Sequence, residues 1–228
     1  MRLVATVILV GLVSFWSQCP YRSKDTSNAL SQNNGVGQKR MSDIGTNGDP
    51  ELRTQYLAME KELGRAARKL GLENLSDSRD TPEEIRIWVG FGIILPTCLV
   101  LTRTGNASQA TFVAPKLGAD KAELDSKGHV IYAKNILGSP KSGWEGLHRF
   151  LKEQGIGSPM RLAPERHYTI DPDETFIAIE VRSGAEYCMV FFPTVDEETD
   201  AKKALGACRR LQSEFGINMG CGDSVSTQ

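Results

Sequence analysis

Residues 176–182 and 186–192 are two apolar-rich arms around Ser183-Gly184-Ala185. Short runs of β-branched and aromatic residues joined by a glycine-containing turn fold as an antiparallel hairpin. Ile177, Ile179 and Val181 recur with period two and mark a face to be buried. A lone two-stranded hairpin is marginal in water, so this segment obliges the rest of the chain to complete a sheet and to cover it. A second hairpin is expected from residues 98–103 and 109–114 around Thr104-Gly105-Asn106.

Ahead of it, Thr81 and Glu84 are spaced as a capping box around Pro82. The residues that follow alternate instead: Ile85, Ile87, Val89, Phe91 and Ile93 against Arg86, Trp88, Gly90 and Gly92. That pattern predicts one turn running into a strand. The run stays apolar as far as Leu101, but Pro96 and the inner glycines favour a buried strand pair over a membrane span. Residues 118–138 show no clear period, beyond a short strand at 130–132.

Three helices are expected. Asp49 suits an N-cap and Pro50 the first helical position. Leu52, Tyr56, Met59, Leu63, Ala66 and Leu70 then form one stripe, stopped by Gly71. The stripe spans fewer than three heptads, which favours packing on its own domain over a coiled coil. A second helix covers residues 144–154 with Trp144, Leu147, Phe150 and Leu151 on its apolar face, ended by Gly155. The third covers 196–215 with Ala201, Leu205, Cys208, Leu211 and Phe215 on one side. Together these elements predict an α+β fold: an antiparallel sheet built from two hairpins, with helices packed on one face. A signal segment, a tether and one amphipathic helix precede it.

The N-terminus sets the expected location. Arg2 is the only charge ahead of the apolar run 3–16, the pattern of a secretory signal over residues 1–18. The run is shorter than the roughly 20 residues a spanning helix needs. Residues 19–48 are rich in Ser, Asn, Gln, Gly and Asp and read as a flexible tether. The domain is then expected over 49–217, with a polar tail at 218–228. Cys19 follows the apolar run as a lipid-bearing cysteine would, although Trp16 and Gln18 depart from the small residues such signals carry. Cleavage near Ser17 and retention as a membrane anchor are the alternatives. In an exported chain, Cys98, Cys188, Cys208 and Cys221 become disulfide candidates, with three complete pairings open.

Little in the sequence points to chemistry. With 27 basic and 28 acidic residues the net charge is −1, which gives no electrostatic reason for a nucleic-acid partner. Membrane contact is expected only through the N-terminal segment. No cofactor is implied. His129, His148 and His167 are not spaced as a metal pair, and the cysteines lack zinc-site spacing. Asp171, Asp173 and Glu174 lack the EF-hand pattern and read as a turn. Neither a G-x-S-x-G elbow nor a phosphate loop is present. Trp88, Arg103, Arg182 and Tyr187 fall on the strands where they would share the sheet's second face. Exposed there, they would make an aromatic–Arg patch of the kind interfaces favour; the alternative is that Trp88 and Tyr187 cover that face as ordinary packing.

The runs Ile85-Arg86-Ile87-Trp88, Leu99-Val100-Leu101-Thr102-Arg103 and Ser142-Gly143-Trp144-Glu145, continuing to Gly155-Ile156, resemble uncharacterised exported bacterial proteins over residues 85–192. The resemblance implies a bacterial envelope and carries no activity. The expected function is therefore a non-enzymatic envelope module that binds a protein or other extracytoplasmic ligand. Two alternatives stand beside it: a hydrolase with a dispersed site, and a structural lipoprotein whose first helix pairs with a partner.

Overall fold

The computed structural model describes residues 50–77, 82–91, 94–119, 121–156, 175–184, 186–193 and 199–221. The signal segment, the tether, Cys19, His167 and the acidic turn at 171–174 lie outside them. The described elements are α1 (Pro50–Lys69), β1 (Glu83–Phe91), β2 (Ile94–Thr104), β3 (Ala107–Pro115), β4 (Tyr132–Leu137), α2 (Gly143–Glu153), β5 (Phe176–Ser183), β6 (Glu186–Pro193) and α3 (Thr199–Phe215). The six strands form one open sheet in the order β4-β3-β2-β1-β5-β6, and every neighbouring pair is antiparallel. This is an α+β fold.

The sheet holds more than the two expected hairpins. Residues 83–104 fold back on themselves as β1 and β2, so β1–β4 run as a meander, and β5 adds to the free side of β1. The β1–β2 turn is tight. Gly90 has φ 122°, and a Cβ there would lie 2.8 Å from the Pro96 Cα. The next residue, Phe91, is the one non-glycine residue at positive φ among the described residues, at 72°. The register shifts between Val89 and Phe91, the signature of a bulge. The short strand expected at 130–132 falls instead at 132–137 as β4, an edge strand with Lys134, Asn135 and Ile136 exposed and no apolar alternation to mark it.

Helices cover both faces of the sheet, which corrects the expectation of one covered face. On one side, Ile85, Ile87, Leu99, Leu101, Phe112, Ile179, Val181 and Val190 pack with Leu147 and Leu151 of α2 and Ala204, Cys208 and Leu211 of α3. On the other, Trp88, Cys98, Val113, Phe176, Tyr187 and Phe191 pack with Tyr56, Met59, Leu63, Ala66 and Leu70 of α1. From Tyr56 to Leu70 the apolar stripe of α1 is thus occupied by its own sheet. Tyr56 meets Phe191 edge-on at 5.5 Å between ring centroids.

All three helices end in the same way. An amide two or three residues past the end bonds back five residues, from Leu72 to Ala67, Ile156 to Leu151 and Ile217 to Gln212. This is the Schellman closure, and it places an apolar residue back against the helix. The position before Ile156 is Gly155 at φ 73°, a conformation that costs a side-chain-bearing residue. Glu214 of α3 joins the two helices on its face. Its carboxylate accepts the Ser142 backbone N–H at 2.8 Å, at the start of α2, and pairs with Arg210 at 2.6 Å. A carboxylate at a helix N-terminus meets unsatisfied N–H groups and the positive end of the dipole.

Two residues of the segment expected to be a polar tail from 218 lie in the core instead. Met219 and Cys221 are buried in the α2/α3-side core. A disulfide joins Cys208 to Cys221. Gln212 Oε1 accepts the Met219 and Cys221 N–H groups, and Thr97 donates to the Met219 carbonyl. Cys98 and Cys188 cannot form a second bridge. They sit on opposite faces of the sheet, on strands separated by β1 and β5.

Candidate functional site

The four residues expected to share a patch do not do so. Trp88, Arg182 and Tyr187 are together on the α1 face, but all three are buried, Arg182 completely. Arg103 is exposed and lies on the opposite face. The reason is register: Trp88 faces Cys98 across β1–β2, so Val100 and Thr102 share its side, and Arg103 does not.

The buried trio belongs to a polar layer under α1. Strand β1 contributes Glu84, Arg86 and Trp88, and β5 contributes Glu180 and Arg182. Glu84 faces Arg182 and Arg86 faces Glu180 across the strand pair. Arg86 Nε donates to Glu84 at 2.6 Å and Nη1 to the Glu73 carbonyl at 2.6 Å. Trp88 Nε1 and the Tyr187 hydroxyl donate to the two oxygens of Glu180 at 2.6 and 2.8 Å. Arg182 donates to the Leu75 and Ser76 carbonyls, and its guanidinium lies 5.8 Å from the centre of the Tyr187 ring. Its Nη1 is buried with no hydrogen-bond partner in the structure. Burial raises the Glu180 carboxyl, against the opposing pull of Arg86 and of its two hydrogen bonds. Burial likewise pushes the Cys98 thiol and the Tyr187 phenol well above their ordinary values. A thiol held protonated in this way is a poor nucleophile. The layer is closed off by α1 and residues 72–77, so it organises the fold rather than meeting a ligand.

The accessible arrangement is on the other face, at the end of the sheet where α2 leaves the strands open. Register sets Glu83, Arg103 and Ser108 in one row across β1, β2 and β3, on the side toward α2. Above the row stand Trp144 and His148, one turn apart on α2, with ring centroids 6.3 Å apart. Glu83, Arg103, Trp144 and His148 form the rim of a shallow cleft, with Ile85, Leu101, Leu147 and Leu151 as its apolar wall. The enclosed part has room for about one water. Next to it, Ser108 Oγ and His148 Nε2 are hydrogen-bonded at 3.0 Å. Partial burial lowers the His148 pKa, Arg103 lowers it further, and Glu83 pulls the other way. The imidazole is therefore neutral near pH 7 and able to accept a proton.

His148 had no partner at metal-ligand spacing in the sequence. Ser108 and Glu83 carried no signal of their own. The pair joins residues forty positions apart, and only strand pairing brings Ser108 under α2. Of the other histidines, His129 lies in the β3–β4 connection with Asp125, whose carboxylate is held below its usual value by the backbone N–H groups of His129 and Lys127. Among the described residues, no three His, Cys, Asp or Glu side chains are gathered to hold a metal ion. No family model, curated protein or solved structure matches this chain.

Proposed function

We propose that this chain is an exported module of the bacterial envelope that binds a protein or other extracytoplasmic ligand, and that it meets the ligand at the α2 cleft. One observation carries the reading: an exposed arginine, Arg103, and a half-buried tryptophan, Trp144, share a concave rim over an apolar wall. Trp and Arg are the residues that most often dominate binding energy, and a shallow concave rim suits contact with the surface of a larger partner. Export is supported by the apolar segment behind Arg2 and by the Cys208–Cys221 disulfide, since such bonds persist in oxidising compartments. Pairing of α1 with an external helix is disfavoured, because its stripe already covers the sheet.

The test is site-directed photo-crosslinking in the envelope of the host. A photoreactive residue at position 103 should give a discrete adduct that Trp144→Ala removes, while one at Leu57, exposed on α1, should not. Equal adducts from both positions, or none from 103, would sink the reading. Intact mass before and after reduction adds a check on export, because a disulfide formed in the host gains two hydrogens.

A further inference from the structure

We infer that Ser108 and His148 form a nucleophile–base pair able to cleave a short-chain acyl ester seated in the α2 cleft. This goes beyond binding: a partner can dock on the rim whether or not the serine reacts. Geometry is the first support. Ser108 Oγ is 3.0 Å from His148 Nε2, within the reach a general base needs. The two are held by different elements, β3 and α2, and the packing of Leu147 and Leu151 into the core fixes α2 over the strand.

Charge and an apolar wall surround the pair. Arg103 faces Ser108 directly across β2–β3 and donates to the Gly105 carbonyl, so its exposed positive charge stands in the same row as the serine. Glu83, on the same rim, favours the His148 imidazolium, although burial and Arg103 outweigh it. The wall of Ile85, Leu101, Leu147 and Leu151 is apolar, which suits an acyl group rather than a charged one. The enclosed space, about that of one water, limits that group to an acetyl-sized one, with the alcohol part left in solvent.

The reaction balances with water as the only co-reactant. Ser108 Oγ bonds to the ester carbonyl carbon as His148 Nε2 takes the serine proton. The carbon–oxygen bond to the alcohol then breaks, and the alcohol leaves with that proton. Water attacks the acyl-serine, giving one proton to His148. The serine–carbon bond breaks, the carboxylic acid departs, and the proton returns to Ser108.

The experiment uses the full chain with a fluorophosphonate probe, which forms a serine–phosphorus bond and releases fluoride, and with p-nitrophenyl acetate as the ester. One adduct mapped to Ser108 is expected by mass spectrometry. Ser108→Ala should abolish it, and His148→Gln should slow it about a hundredfold. Ester hydrolysis should fall in parallel. The two substitutions lie on different elements, so a folding fault in one, seen as a changed melting temperature, leaves the other to be read. No adduct, an adduct on another serine, or an unchanged rate in His148→Gln would overturn the inference.

Discussion

The two faces of this sheet are buried to similar depth with opposite materials. The α2/α3 face is a continuous aliphatic layer, closed at one end by the Cys208–Cys221 bond. The α1 face buries Glu84, Arg86, Glu180 and Arg182 among its apolar residues. An aliphatic layer tolerates any neighbour of the right shape, whereas each buried charge needs particular partners at particular distances. Three of the arginine contacts are backbone carbonyls of residues 73, 75 and 76. The polar layer therefore specifies where the chain after α1 must lie, which the aliphatic layer has no means to do.

This contrast is open to measurement by urea unfolding. Arg86→Met should have the greatest effect, about 4 kcal/mol, because it leaves the buried Glu84 charge without its donor and removes the positive charge beside the buried Glu180. Leu147→Ala on the aliphatic side should cost about 3 kcal/mol, as a cavity in a packed core does. A loss for Arg86→Met well under that of Leu147→Ala would mean that the polar layer is wetter or looser than its hydrogen bonds imply. Cys208→Ser should cost about 2 to 3 kcal/mol, by freeing the segment that ends at Cys221.

The faces should also differ in their response to pH. Glu180 has a raised pKa in the folded state, first from burial. Between the unfolded and folded values the native state binds the extra proton, so stability falls as pH rises through that window. Glu180→Gln should flatten the fall. Glu214, on α3, behaves oppositely. Burial would raise it, but hydrogen bonds from Ser142 and the charge of Arg210 outweigh that and lower it. Its contribution is present above the ordinary carboxyl value and is lost as pH drops through the folded one. Thermal melts of Glu180→Gln and Glu214→Gln across the acid range should thus change slope in opposite senses. The smallest effect belongs to the cleft: Arg103→Ala should alter stability by no more than about 0.5 kcal/mol, since the side chain is exposed. A larger loss would assign Arg103 to the fold rather than to a ligand.

The local periods of this chain were readable. The stripe of α1, the apolar faces of α2 and α3, and the two turns at Gly105 and Gly184 all follow from short-range spacing, and each appears in the structure. Alternation along β1 and β5 was readable too, but its meaning was not. A polar residue at every second position marks a second face without saying whether water or a helix covers it. Glu84, Arg86, Glu180 and Arg182 look like a solvated edge of the pattern and are instead enclosed. Arg103 was assigned to the wrong face because parity across a hairpin depends on which residues pair, and one step reverses it. Strand β4 lacked the alternation because an edge strand needs none.

The sequence by itself determined the α+β class, the hairpins and the three helices, because each depends on residues a few positions apart. Tertiary structure alone decided that α1 covers the second face, that Cys208 pairs with Cys221, and that Ser108 meets His148 beside Glu83 and Arg103. Those contacts join residues from 13 to over 100 positions apart. They follow from strand order and register, which are set when all the layers pack at once.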